Sequence, residues 1–193
     1  MATQYPSIEP NLRSFIERQH MFFVATAAAD SRVNVSPKGL DALRVLDENH
    51  VVYLDRTGSG NETAAHLLAD GRLTIMFCAF DGPPRILRLY GRGRALRRGG
   101  PEYAALLADR YDGVEPVGAR QMIELTVDLV QTSCGYGVPL YDYEGERPSL
   151  VNWSENKGEA GLVTYRREKN EFSIDGLPTG LFAGEDAADS AVS

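Results

Sequence analysis

The chain has 193 residues, 43% of them hydrophobic, and a formal net charge of −7. That length and composition support one full hydrophobic core, expected as a single domain over residues 1–180. The acidic balance excludes the general affinity for nucleic acid or an anionic membrane surface that a positive field would provide, which leaves a small molecule or another protein as the expected partner. The first residues have neither the basic region nor the apolar core of a targeting leader, and no segment reaches bilayer length, so a cytoplasmic location is expected. Cys78 and Cys134 are too few for a disulfide scaffold and read as free thiols.

In chain order, Leu12, Phe15, Ile16 and Gln19 follow Pro10 at helical spacing and predict a short amphipathic helix. The apolar run His20 to Ala28 predicts a strand. After a turn at Asp30 and Ser31, Arg32 to Val35 alternates as its hairpin partner. Pro37 is expected to break that pairing, because proline donates no ladder hydrogen bond. Leu43 to Leu46 forms a brief strand, and Asp47 to Asn49 turns into the β-branched run His50 to Leu54.

The glycine loop Arg56 to Gly60 follows, and its two glycines permit unusual backbone angles. Ser59 stands three residues before Glu62, the spacing of a capping box, so a helix is expected to start there with Ala64, Ala65, Leu67 and Leu68 buried and Gly71 as its left-handed stop. Such a loop is either a tight connection whose amides Ser59 and Glu62 satisfy, or an anion site at a helix N-terminus. No lysine follows at the place a Walker loop requires.

Leu73 to Phe77 predicts the next strand, and Asp81 to Pro84 a loop. From Ile86 to Ala95, period two places Arg88, Tyr90, Arg92 and Arg94 on one face. Leu87, Leu89, Gly91, Gly93 and Ala95 share the other, where the glycines imply the close approach of another backbone or a flat ring. Pro101 to Tyr111 predicts a helix with Tyr103, Leu106 and Leu107 inward. Ile123 to Leu129 alternates as a half-buried strand. Pro148 to about Asn170 reads as a helical extension broken at Gly158, and 181–193 as a disordered acidic tail. Six or seven short strands with helices between them suggest a small closed β-barrel with peripheral helices.

His20, His50 and His66 lie on separate elements without ligand-spaced neighbours, which argues against a metal site. They read as ordinary core or surface histidines. Cys134 has no recognisable general base and reads as a buried thiol. Lys38, at a strand end, can serve a pocket as a point charge for phosphate.

The order of these elements resembles the pyridoxamine phosphate oxidase-like family. The resemblance rests on Met21 to Thr26, Val33 to Gly39, Val52 to Thr57, the loop and helix from Gly58 to Leu67, and Arg88 to Arg94, and it covers roughly residues 10 to 135. It implies a mainly antiparallel split β-barrel of the FMN-binding type and a homodimer with two FMN sites at the subunit interface. It also implies an oxidoreductase acting on an unidentified small molecule; the alternative is a non-catalytic flavin-, deazaflavin- or haem-binding protein. Lys38 matches the lysine that ends the family's second strand, and Thr57 the threonine after the next long strand. On this reading Lys38, Arg56 and Arg88 neutralise phosphate, Ser36, Thr57, Ser59, Asn61 and Thr63 donate hydrogen bonds, and Tyr136 of the partner subunit closes the pocket. Where the family shows Ser-Arg-Lys at the helix start, this chain has Asn61-Glu62-Thr63. An acid and a hydroxyl thus replace two cations. Either Lys38, Arg56 and Arg88 supply the charge from elsewhere, or FMN binds weakly, or another ligand is used.

Overall fold

The computed structural model describes residues 2–183. The elements run β1 (Thr3–Tyr5), α1 (Pro10–Glu17), β2 (Phe22–Thr26), β3 (Asn34–Lys38), β4 (Leu43–Val45), β5 (His50–Arg56), α2 (Glu62–Ala69), β6 (Arg72–Cys78), β7 (Ile86–Arg97), α3 (Pro101–Arg110), β8 (Ala119–Ser133) and α4 (Ser149–Lys169). All strand pairs are antiparallel, in the order β3-β2-β6-β7-β8-β5-β4, and β1 adds to β8 beyond the end of β5. The curled sheet is a split barrel. It is not the closed barrel that the number of strands suggested, because β3 and β4 end the sheet without pairing to each other.

The inside of the curl is the main core. Val24, Val51, Tyr53, Ile75, Leu87, Leu89 and Leu125 are fully buried there, and α1 packs Leu12, Phe15 and Ile16 against them. A second apolar cluster lies on the outer side of β5, where Val52, Leu54, Leu96 and Met122 meet Tyr103 of α3 with Leu106 and Leu107. Strand β5 is therefore buried on both faces, which is why its sequence runs apolar without alternation.

Several expectations are corrected by the pairing. Pro37 does not end its strand: it pairs with Phe23, and Lys38 pairs with Phe22. Because β3 is an edge strand, the missing proline N–H falls on the unpaired side. The N-terminal strand β1 carries no periodic signal in three residues and is held by its register on β8, Thr3 opposite Thr132, with Tyr5 packed against the core. Leu68 is exposed rather than buried. Gly71 does take the left-handed conformation, with φ of 87°.

On β7, a Cβ at Gly91 would lie 1.9 Å from the Thr126 carbonyl oxygen, so the close neighbour is backbone rather than a ring. The arginines of this face are satisfied at the surface: Arg94 pairs with Glu124 and Glu102, and Arg92 donates to the Asp70 carbonyl. Beyond Gly91 the alternation shifts, with Ala95 exposed and Leu96 buried. The shift accompanies a bulge in β8, where Tyr90 pairs with Leu129 and Gly91 with Val127, leaving Asp128 over.

Helix α4 is two helices across Gly158 (φ 64°, ψ 168°), as the sequence indicated. Of the expected tail, Leu181 to Ala183 form a turn with Phe182 buried, and the part from 184 onward lies outside the described residues. Cys78 is buried, whereas Cys134 is exposed and not the buried thiol expected. His66 is buried, with Nδ1 3.0 Å from the Thr26 hydroxyl, and His50 lies beside Asp47 at the surface.

Candidate functional site

A cavity of about 420 Å³ opens between the edge strand β3, the end of β5 and the loop leading to α2. Seven of the nine residues singled out in the sequence line it: Ser36, Lys38, Arg56, Thr57, Ser59, Asn61 and Thr63. Arg88 and Tyr136 do not. Arg88 lies on β7, half-buried, with a 3.3 Å hydrogen bond to the Ser133 hydroxyl. Tyr136 is 82% exposed on the segment after β8.

Beneath the cavity is a charge cluster that the sequence did not disclose. Asp55 is buried and accepts from Lys38 Nζ at 2.8 Å, Arg120 Nε at 2.8 Å and Gln121 Nε2 at 2.9 Å. Burial alone would raise the Asp55 carboxyl, but the Arg120 guanidinium and then the Lys38 ammonium outweigh it and hold the group well below its ordinary 3.8. Adjacent residues on a regular strand point to opposite faces, yet Arg120 and Gln121 both reach Asp55. A bulge makes this possible: Asp55 pairs with Gln121 and Arg56 with Ala119, so Arg120 is the extra residue, turned toward the loop.

The glycine loop is held from behind by the C-terminal extension. Arg166 donates through Nε to the Thr57 hydroxyl at 2.8 Å and through its terminal nitrogen to the Ala119 carbonyl at 3.0 Å. Asn170 donates to the Gly58 carbonyl at 3.0 Å and accepts from Arg120 at 2.9 Å. The Asn61 side chain is engaged on both sides, accepting from Gln121 and donating to the Asn170 carbonyl. Thr57 and Asn61 therefore spend their side chains on the loop's shape.

The capping box does not form. Asn61 occupies the N-cap position of α2 without a side-chain cap, and the Glu62 carboxylate instead accepts the Ile174 amide at 3.1 Å. Gly58 and Gly60 adopt ordinary φ values, so backbone freedom does not explain them. A Cβ at Gly58 would meet nothing within 4 Å. The glycine leaves open space in the cavity wall.

Among the described residues, the Arg56 side chain makes no hydrogen bond or ion pair, and the residue is half-buried. Burial draws its pKa down against the opposing field of Glu146. A cationic fork, an uncapped helix start and the open wall at Gly58 form a pocket suited to an oxyanion. The residues present thus fit the phosphate of a flavin mononucleotide, with backbone amides and Arg56 standing where the two further cations are missing. A second cavity of about 690 Å³ adjoins, sharing Gly39, Leu40 and Leu150 with the first. Its walls include Phe80, Tyr141 and the stacked pair His20 and Tyr143, whose ring centroids are 3.6 Å apart.

This sheet order, with a cavity beside the edge strand and the loop after β5, defines a split-barrel protein. The family model described as "Pyridoxamine 5'-phosphate oxidase" matches residues 8–134. An Aspergillus flavus protein, "Pyridoxamine 5'-phosphate oxidase family protein ustO", is 42% identical over 193 residues, covering 90% of this chain and 76% of its own. The chain belongs to the pyridoxamine 5'-phosphate oxidase family. Among solved structures, two of HupZ from Group A Streptococcus share the fold. A variant form has a TM-score of 0.53 at 19% identity, covering 65% of this chain and 99% of that one. A second form has a TM-score of 0.51 at 20% identity, covering 63% and 91%.

Proposed function

We propose that the protein is a flavin-dependent oxidoreductase that holds FMN in the cavity between Lys38 and Arg56, at the interface of a homodimer, and acts on a small molecule. The observation that carries this reading is the Arg56 side chain, unpaired among the described residues, beside the uncapped start of α2 in a cavity whose wall is left open at Gly58. FMN, when bound, supplies hydride or single-electron transfer through its ring system.

The chain's own residues bind and orient. Arg56 meets the phosphate through its planar fork. Lys38 adds a point charge that Asp55 restrains, and the Ser36 and Ser59 hydroxyls offer hydrogen bonds. Thr57 and Asn61 keep the loop in shape from beneath. The adjoining aromatic cavity is where we place the substrate, against Tyr143 and Phe80. The exposed aromatic segment with Tyr136, Leu140 and Tyr141 is the surface we assign to the partner subunit. In this assembly Tyr136 acts on the partner's cavity, and Arg88 takes no part in phosphate binding within its own chain.

A second reading, a flavin or haem carrier without turnover, is favoured by one observation. Asp55 is held ionised by its two cations, and Glu62 is tied to Ile174, which leaves these two buried or partly buried acids poorly placed for proton transfer.

The test is an absorption spectrum of the purified protein and titration with FMN followed by flavin fluorescence, with riboflavin as the phosphate-free control. FMN is expected to bind stoichiometrically and more tightly than riboflavin. At about a hundred times the dissociation constant it stabilises the fold by roughly 2.7 kcal/mol. Lys38→Ala and Arg56→Ala lower the FMN affinity and leave riboflavin nearly unchanged. Equal affinities for FMN and riboflavin in the wild type would overturn the phosphate assignment. Turnover of a reduced nicotinamide with a flavin acceptor separates the enzyme from the carrier.

A further inference from the structure

The C-terminal extension lies wholly beyond the residues that the family model matches, yet it reaches the back of the candidate site. We infer that Asn170 is a positioning residue that turns the loop into an anion nest by fixing the direction of two peptide units. The inference rests on the FMN reading above.

In a planar trans peptide the C=O and the following N–H point in opposite directions, and no peptide among the described residues is cis. Asn170 is fully buried and does not line the cavity. Its Nδ2 draws the Gly58 carbonyl inward at 3.0 Å, so the Ser59 N–H of the same peptide points away from Asn170. Its Oδ1 holds the Arg120 guanidinium at 2.9 Å, and the same Arg120 nitrogen draws the Gly60 carbonyl inward at 2.8 Å. The Asn61 N–H therefore points outward as well.

Gly58 to Asn61 all line the cavity, and among the described residues neither the Ser59 nor the Asn61 amide nitrogen donates a hydrogen bond. Asn170, directly at Gly58 and through Arg120 at Gly60, thus turns two alternate N–H groups, unpartnered among the described residues, along the stretch that lines the cavity, in the manner of backbone concavities that bind anions. Asn170 is itself locked, because its carbonyl accepts from Asn61 Nδ2 at 3.3 Å and from the Thr179 hydroxyl at 2.7 Å. Glu62, standing where the family shows a cation, ties the segment just beyond Asn170 through Ile174. The cations lost at the helix start are replaced by oriented amides, and the extension supplies the orientation.

The decisive variant is Asn170→Asp. Aspartate keeps the shape and still accepts from Arg120, but it cannot donate to the Gly58 carbonyl and repels it, so the peptide between Gly58 and Ser59 loses its hold. FMN and riboflavin affinities are measured for the wild type and the variant by fluorescence titration, with a thermal melt of each. The preference for FMN over riboflavin is expected to fall about tenfold or more, since a hydrogen bond to a charged group is lost, while riboflavin affinity stays within about twofold. A general loss of structure would weaken both ligands alike. Asn170→Ala, which removes the donor without adding a charge, is measured beside it and is expected to give the same change in preference, so neither the charge of aspartate nor a failure of Asn170→Asp to fold decides the outcome. An unchanged preference in a folded variant overturns the inference and leaves the FMN reading standing. A wild type that binds neither ligand overturns both.

Discussion

Replacing Asp55 by asparagine tests the charge cluster under the cavity most directly. The carboxylate is 2% exposed and the Arg120 side chain 4%, so the pair is not screened as a surface bridge would be. Asparagine has nearly the same volume but one acceptor oxygen in place of two. Its amide group then faces donors that already surround the site: Lys38 Nζ, Arg120 Nε and Gln121 Nε2. Two cations lose their anion, one of them buried. Removing one partner of a buried ion pair costs roughly 3–5 kcal/mol. For a domain of this size each kcal/mol moves the melting temperature by about 2–4 °C, so Asp55→Asn is expected to lower it by about 6–20 °C.

Differential scanning calorimetry at neutral pH makes the measurement, and repeating it in acid adds an independent check of sign. Because the folded carboxyl titrates below its ordinary 3.8, its contribution is fully present above that value and is lost as the pH falls through the lower folded value. The gap between wild type and variant should therefore stay constant through pH 5 and close only below 3.8. A melting temperature within ~2 °C of wild type at neutral pH would refute the reasoning, because it would mean that water already screens the cluster.

Three further outcomes follow from the geometry. Gly91→Ala places a Cβ 1.9 Å from the Thr126 carbonyl in the bulged part of β7 and β8, so it should cost more than about 4 kcal/mol or prevent folding; a stable, soluble variant would contradict this spacing. Cys134 is exposed, and the Tyr136 backbone amide beside it draws its thiol below the ordinary value, whereas burial pushes the Cys78 thiol up. A thiol reagent should titrate one cysteine quickly in the native protein and the second only after denaturation, and two fast thiols would refute that assignment. Glu62→Gln removes a negative charge from the cavity wall but leaves an oxygen to accept from Ile174; FMN affinity should rise roughly threefold to tenfold, about the weight of one screened charge. A fall would show that the charge matters to the Ile174 contact more than to the cavity.

Much of the frame could be read from local patterns. The apolar run of β5, the helix stop at Gly71, the close backbone at Gly91 on β7 and the break at Gly158 each follow from a residue acting on its neighbours. The failures have a common cause. Pro37 reads as a break, but the effect of a proline depends on whether its strand lies at an edge, which pairing alone decides. Ser59 and Glu62 have the spacing of a capping box, but Glu62 has a competing partner in Ile174, 112 residues away. Arg120 showed no signal, since it sits at the start of an alternating strand and points to Asp55 only through a bulge. Two adjacent polar residues, Arg120 and Gln121, ahead of the alternating run, together with the lone aspartate of β5, are the pattern that points to it. Arg166 and Asn170 stood in an amphipathic extension where polar residues ordinarily face water.

The loop's dependence on the extension also sets an order of events during synthesis. Strands β2 to β8 can pair before α4 leaves the ribosome, and the apolar core they enclose needs nothing from beyond residue 133. The hydrogen bonds from Arg166, Asn170 and Ile174 to the loop close over 109 to 112 residues, among the most widely separated in the chain. Long closures form late. A nascent or prematurely ended chain would therefore have a barrel whose loop lacks these holds, and on the proposed function ligand competence would arrive only with the last helix.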